Sequence, residues 1–442
     1  MASAFTRIAA PIAAVWTLFN CSRRLEQEQW LPAGDLSTRR RRRVQRLLVR
    51  AAAAPYYRAV FREAGLEDPG KAEPHEFEKL PFLDREVIAR HGLAAFLTVE
   101  GSGLISVTTS GSTGTPGRFL RSSLEESEFS ARWRRVYAAF GCGAFDRQVN
   151  VAIAGKPART GAVALLRAGG FLPRVETLAG ITPPEQVLER IRALKPPILT
   201  GYAGAIEALA EHVLATGARI EPPTAVFCTA MEVTDRCLEL AGQAFRAPAV
   251  DVYVTNELGV IAWSCPKHRD LLHVNDDALI VEVVGPEGTP LPPGAEGELV
   301  VTSLGLTSMP LIRYKTGDLA ACIGARCECG RGLGLLTRVR GRTAHAIRRP
   351  DGAVITTPAV TSLVGRAGAY EWVRQFQVRE EPGLRLRVLL ETRRPPTEAQ
   401  LDILTRTLQS GLGPAFRVTC EIVDRIPPAP NGKQQFLVPW AR

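Results

Sequence analysis

The segment Thr108 to Phe119, TTSGSTGTPGRF, sets Gly111, Gly114 and Gly117 among hydroxyl side chains directly after an apolar run. Glycine lets the backbone turn with positive φ and approach a ligand closely. Exposed N–H groups, with the hydroxyls of Ser110, Ser112, Thr113 and Thr115, can then surround phosphate oxygens. The P-loop of nucleotide hydrolases needs Lys and then Ser or Thr after its last glycine; here Arg118 and Phe119 follow Gly117, which excludes it. A mobile surface linker is the plain alternative. A second group is split between Cys265-Pro-Lys-His268 and Cys327-Glu-Cys329-Gly330. Three thiolates and one imidazole suit a tetrahedral structural zinc whose positions are all filled by protein. Cys322 and His273 are spare candidates, and free surface thiols are the alternative.

These groups need elements to position them. Leu104 to Thr109 reads as a strand entering the glycine-rich loop, and residues 123–140 read as a helix behind it. VNVAIAG, PPILTGY, PTAVFCT and PAVDVYVT then alternate with helices around 184–194, 203–215 and 234–245, as βαβ units and a mostly parallel sheet require. From residue 276 the style changes. DDALIVEVV and GELVVTSL alternate apolar and polar residues on either side of a Gly/Pro-rich turn, which predicts an antiparallel hairpin. From residue 341, Leu384, Leu386, Val388 and Leu390 alternate strictly, followed by a helix near 397–411 and the strand-like VTCEIV. This is a compact α+β module.

The 442 residues exceed one ordinary core, so two or three domains are expected. With 45% hydrophobic and 23% charged residues the chain is of the globular class, neither collagenous nor broadly disordered. A net charge of +10 can attract nucleic acid, anionic membrane or a polyphosphate ligand. Its sharpest cluster, Arg39 to Arg43, precedes Val44, Leu47, Leu48 and Ala51 at helical spacing and reads as the solvated start of an amphipathic helix over 44–65. No aromatic residues interleave with the arginines, which speaks against nucleic acid. Residues 8–19, IAAPIAAVWTLF, are too few to span a bilayer, and Pro11 interrupts them. A first packing helix is expected there, with no stable membrane insertion. Nine cysteines spread over this length suggest reduced thiols and a cytoplasmic location.

Three further sites are ambiguous singly. Glu257 reads as a strand-end acid four residues after Tyr253, Asp318 closes RYKTGD, and Lys433 sits in the turn IPPAPNGKQQF. With the glycine-rich loop, they stand in one order from residue 44 to 438 that resembles the adenylate-forming superfamily of acyl-CoA synthetases and peptide-synthetase adenylation domains. The branch resembled is that of phenylacetate-CoA ligase and the CapK polysaccharide-locus proteins. The resemblance implies that Thr109, Ser110, Gly111, Ser112, Thr113, Gly114 and Thr115 hold the β- and γ-phosphates of ATP. It places Thr229, Ala230, Met231 and Glu232 at the adenine pocket, with Tyr253 stacked on or near the base; Asn256 stands where the family has Ser or Thr before the glutamate and can donate to the same acceptor. Glu257 would hold magnesium, Asp318 the ribose hydroxyls, and Arg342 the nucleotide near a hinge between domains. Lys433 would bridge the substrate carboxylate and α-phosphate. Ala344, followed by His345, stands where the family has an acidic or lysine pivot, and Gly117 where a lysine commonly closes the loop. CapK-like relatives often carry a site comparable to the cysteine–histidine group.

The resulting expectation is an α/β protein: a large multi-layer N-terminal adenylation domain with mostly parallel sheets, over 1–340, and a small mobile α+β lid over 341–442. A carboxylic acid would be activated with ATP and magnesium to an acyl-adenylate, releasing pyrophosphate, and then passed to coenzyme A. Two rivals differ in the last step or in class: transfer to an amine, a hydroxyl or another cofactor, or a catalytically weak nucleotide-binding protein of a biosynthetic cluster. The expected partners are a small-molecule carboxylic acid and no nucleic acid; a homodimer is carried as an open expectation.

Overall fold

A computed structural model describes the chain apart from residues 1–3, 101–102, 109–116, 153–174, 180–181, 231, 340–346, 351–353, 356, 428–434 and 441–442. Its described residues fall into two units: 4–316 with 320–338 in the first, and 317–319 with 339–440 in the second.

The first unit opens with helices α1 (Ala4–Glu28), α2 (Ala33–Ala51) and α3 (Pro55–Glu63). The expected helix over 44–65 is therefore two helices, parted at 52–54 before Pro55, which is tolerated only in a first turn. Arg39, Arg41 and Arg42 are exposed, as expected of a solvated run, but the five arginines sit inside α2 and four of them meet acids: Arg39 and Arg43 reach Glu28 at 3.1 and 2.6 Å, Arg40 approaches Asp276, and Arg41 pairs with Glu73. A helix that buries Val44, Leu47 and Leu48 must bring its charged flank over neighbouring acids. Two short helices follow, α4 (Pro74–Glu78) and α5 (Arg85–His91), the latter capped by Asp84, whose carboxylate accepts the Val87 N–H at 2.7 Å. Strands β1 (Ile105–Thr108) and β2 (Arg118–Arg121) pair as an antiparallel hairpin. Then α6 (Ser123–Ala139) begins with a capping box of Ser122 and Glu125.

An eleven-stranded sheet carries the rest of this unit. Strands β3 (Gln148–Ala152), β4 (Val175–Ala179), β5 (Ile198–Tyr202), β6 (Ala225–Thr229) and β7 (Ala249–Thr255) pair parallel in the order β4-β3-β5-β6-β7. Helices α7 (Pro184–Leu194), α8 (Ala203–Thr216) and α9 (Asp235–Phe245) make the crossovers. Val149, Leu199 and Val226 pack against Ile206, Leu238 and Phe245 of these helices. Trp263, Phe227 and Val136 fill a second cluster with Tyr137 and Phe140 of and just beyond α6.

Beyond β7 the expectation of a mostly parallel sheet is corrected. Strands β8 (Gly259–Ser264), β9 (Leu271–Val274), β10 (Leu279–Val284), β11 (Glu296–Ser303), β12 (Tyr314–Ile323) and β13 (Leu335–Thr337) extend it, and β8, β9 and β13 pair antiparallel. Their connections are too short for a crossover helix, so successive strands reverse direction. The β10–β11 hairpin predicted from alternation is present, with Leu279 opposite Ser303.

In the second unit, β16 (Val373–Glu381) and β17 (Arg385–Thr392) form a hairpin, while β18 (Arg417–Val423) and β19 (Leu437–Val438) add parallel strands; the two-residue strands β14 (Ile347–Arg348) and β15 (Val354–Ile355) pair separately. Leu386, Val388 and Leu390 are fully buried against Leu404 and Leu408 of the helix Glu398–Leu412, each contributing about 2 kcal/mol. Leu384 leaves the alternation: at φ 57° it belongs to the turn before β17.

Candidate nucleotide and metal sites

Many of the anticipated residues lie outside the described residues. These are Thr109, Ser110, Gly111, Ser112, Thr113, Gly114, Thr115, Met231, Arg342, Lys433, and the hinge positions Ala344 and His345. What frames them is described. Thr108 pairs with Arg118, so the glycine-rich loop leaves and rejoins the chain through one hairpin. Arg118, next to Gly117 at the position where a lysine commonly closes the loop, turns its Nε across the hairpin to Ser106 Oγ at 2.9 Å. Near the other end of the chain, residues on either side of 428–434 make described hydrogen bonds. Glu391 accepts the Ile426 N–H at 2.9 Å, and Gln377 donates to the Gln435 carbonyl at 2.8 Å.

The β1–β2 hairpin is joined to the turn that bears Glu257. Arg121 Nη1 donates to the Asn256 carbonyl at 2.9 Å, and the Phe119 ring meets the Tyr314 ring edge-on at 5.9 Å. Glu257, four per cent exposed, follows β7. Its Oε1 accepts from Arg85 Nη2 at 2.7 Å and lies 3.4 Å from the Tyr314 hydroxyl, while Arg85 Nε donates to that hydroxyl at 3.2 Å. Sequence reading missed Arg85. Its placement follows from Leu83, which bridges to the strand at Tyr314 with Leu83 N to Arg313 O at 2.9 Å and Lys315 N to Leu83 O at 2.8 Å, and from the Asp84 cap. Burial alone would lower the Arg85 pKa, but Tyr314 and Glu257 outweigh it and hold it above the ordinary value. Burial, with Glu257 beside it, pushes the Tyr314 hydroxyl up, so it stays protonated.

Tyr253 is buried on β7 opposite Ala262. Asp318 is buried on β12. Thr229 ends β6, and Ala230 follows at φ 64°, a left-handed bend that costs an alanine about 1 kcal/mol. Just beyond Glu232, a clasp that the sequence did not reveal closes on the same segment. Arg338 Nε lies 3.3 Å from Asp251 on β7, and its other nitrogens reach the Asp235 carboxylate and the Val233 carbonyl. Burial pushes the Asp251 carboxyl up to about 6, although Arg338 opposes the shift.

Cys265, His273, Cys327 and Cys329 gather with all four ligand atoms within 4.8 Å of one another. Cys265 Sγ is 3.4 Å from Cys327 Sγ, and His273 Nε2 is 3.1 Å from Cys329 Sγ. His268 is a correction. It lies outside the cluster, partly exposed, with Nε2 3.6 Å from Glu328. His273 replaces it because β9 pairs with β13, whose Leu335 packs against Cys265 and Cys327. Burial, then the charges of Arg331 and Arg135, push His273 down to about 4 and keep it neutral, the form that ligates. Four soft or borderline donors in this arrangement fit a tetrahedral metal.

No family model matches the chain. It is 26% identical over 332 residues to a phenylacetate-coenzyme A ligase of Thermus thermophilus, covering 71% of this chain and 72% of that protein. Among solved structures it is similar to a 2-hydroxyisobutyryl-CoA ligase in the postadenylation state with an acyl-AMP. That likeness has a TM-score of 0.73 at 19% identity over 90% of this chain and 88% of that one. It is also similar to the amide bond synthetase McbA of Marinactinospora thermotolerans, with a TM-score of 0.55 at 20% identity over 75% and 67% of the two chains.

Proposed function

We propose that this chain, similar to a phenylacetate-coenzyme A ligase over 71% of its length, is an adenylate-forming enzyme that activates a carboxylic acid with ATP and passes the acyl group to coenzyme A. The carrying observation is the joint between the glycine-rich hairpin and the Glu257 turn, through Arg121 to Asn256 and Phe119 to Tyr314. It joins the strands that flank the glycine-rich segment to the turn that bears a buried carboxylate.

In the proposed reaction a carboxylate oxygen of the acid attacks the α-phosphorus of ATP. The bond to the bridging oxygen breaks, and pyrophosphate leaves with the electron pair. A thiol sulfur then attacks the acyl carbon, loses its proton, and AMP leaves. Glu257 fits a magnesium ligand: Arg85 and Tyr314 both engage Oε1 and fix the carboxylate in one orientation. When bound, magnesium would neutralise phosphate charge and keep the phosphates in line. Asp318 would accept from the ribose hydroxyls and Tyr253 would lie along the adenine. Lys433 would stabilise the charge that builds on carboxylate and phosphate oxygens. Arg342 would contact the nucleotide, in the linker between an adenylating body over 1–340 and a lid over 341–442.

Transfer to an amine is the second reading. Ala344 in place of the usual pivot and the likeness to an amide bond synthetase favour it. Coenzyme A-dependent loss of the acyl-adenylate separates the two. The metal centre is proposed to hold structural zinc through Cys265, His273, Cys327 and Cys329. The nine cysteines are spread along the chain rather than set as a disulfide framework, and a cytoplasmic location is part of the proposal. Among the described residues no helix is long and apolar enough to cross a membrane.

Pyrophosphate release across aryl, hydroxy and fatty acids, with and without coenzyme A, tests the reading. Release with at least one acid is the expected result. Failure with every acid, together with no detectable ATP binding, would remove it.

A further inference from the structure

We propose that Arg331 is the outer cation of the cysteine–histidine metal centre, and that it couples metal binding to the docking of helices α1 and α2. The inference rests on the zinc reading of that centre. Three thiolates around a divalent ion leave one net negative charge in a buried setting, and such a charge needs a nearby counter-charge. Arg331 is two residues past Cys329 and brings Nη1 to 3.6 Å from its Sγ.

The same guanidinium is sandwiched between two indole rings. Its central carbon lies 4.6 Å from the Trp30 ring centroid and 5.1 Å from that of Trp263. Trp263 in turn faces the His273 ring at 5.4 Å. On the side of the α1–α2 turn, Arg331 Nε donates to Gln29 Oε1 at 2.9 Å, and Gly332 N donates to the Gln29 carbonyl at 2.8 Å. A Cβ at residue 332 would overlap the Leu31 carbonyl, so glycine is needed for this approach. The segment 327–332 therefore supplies two metal ligands with one end and the dock for residues 29–31 with the other.

Arg331 is thus a positioning residue shared by both. Trp30 and Gln29 hold the guanidinium flat and aim it at Cys329, while the liganded loop holds Arg331 against the turn. Outer partners of metal ligands typically change affinity by about 10- to 100-fold when removed. A lysine would restore the charge but neither the planar stack nor the Nε bond to Gln29.

The test uses the full chain purified with zinc. Zinc affinity is read by competition with a chromophoric chelator, and the docking of residues 29–36 by amide hydrogen exchange, in the wild type, Arg331→Met and Arg331→Lys. The wild type should bind one zinc, and chelation should speed exchange at 29–36. Arg331→Met should bind zinc about tenfold more weakly. Arg331→Lys should stay within about threefold of the wild type for zinc, yet exchange faster at 29–36 even when saturated. If Arg331→Met does not fold, Arg331→Lys and chelation of the wild type still decide the matter. Unchanged zinc affinity in Arg331→Met, exchange indifferent to chelation, or full protection in Arg331→Lys would overturn the coupling. A wild type that binds no zinc would overturn the zinc reading itself, before any variant is made.

Discussion

Glu257 shows how a residue recognised by spacing depends on one that spacing cannot reveal. Its partner Arg85 lies 172 positions earlier, and no local pattern connects them. Arg85→Met would leave a nearly buried carboxylate unpaired. It should cost on the order of 3 kcal/mol in denaturant unfolding, because removing one partner strands the other's charge. A loss within experimental error would mean that Glu257 is stable without its cation. At the metal centre, the sequence offered two histidines, and strand pairing chose between them. His273→Ala should lose the zinc, whereas His268→Ala should keep it; metal content per chain decides the choice. Loss of zinc in the His268 variant alone would return that ligand to its place in the sequence reading. The thiols were legible because Cys-x-Cys spacing is local; the imidazole was not, because β9 to β13 pairing is not local.

At the scale of elements, alternation and helical spacing identified most segments, including the β10–β11 hairpin and the helix Glu398–Leu412. What they missed were contacts made from the sides of elements. The acidic partners of the α2 arginines went unseen because Glu28, Glu73 and Asp276 come from three other segments. The clasp of Arg338 on Asp251, Asp235 and the Val233 carbonyl was invisible for the same reason. It joins the strand end at 338 to β7 and to the start of α9, and so braces the segment after Ala230. Asp251 titrates near 6 in the folded chain against an ordinary 3.8. Between those values the folded chain retains a proton that the unfolded chain has released. Stability from this group is therefore complete below about pH 4 and is lost as pH rises through 6. Asp251→Asn should flatten that decline by on the order of 2–3 kcal/mol, seen in urea midpoints against pH. Asp276, also raised to about 6, declines over the same window in both proteins, so the difference between them is the informative quantity. Identical slopes would show that Asp251 keeps its charge through its bond to Arg338.

For the whole molecule, a net charge of +10 suits the proposed reaction, whose ligands would be the polyanions ATP and coenzyme A. Likeness over 90% of the chain to a 2-hydroxyisobutyryl-CoA ligase sets the fold, and the similarity to a phenylacetate-coenzyme A ligase supports the chemistry proposed for testing. The identity of the acid was not legible. A pocket wall depends on side chains that meet across strands, which no local pattern reveals. The central proposal is that Lys433 drives formation of an acyl-adenylate. Acid-dependent exchange of labelled pyrophosphate into ATP measures that step directly. The wild type should exchange label with its preferred acid. Lys433→Ala should lose at least about 100-fold in rate while retaining ATP affinity. Exchange by Lys433→Ala at the wild-type rate would contradict the account.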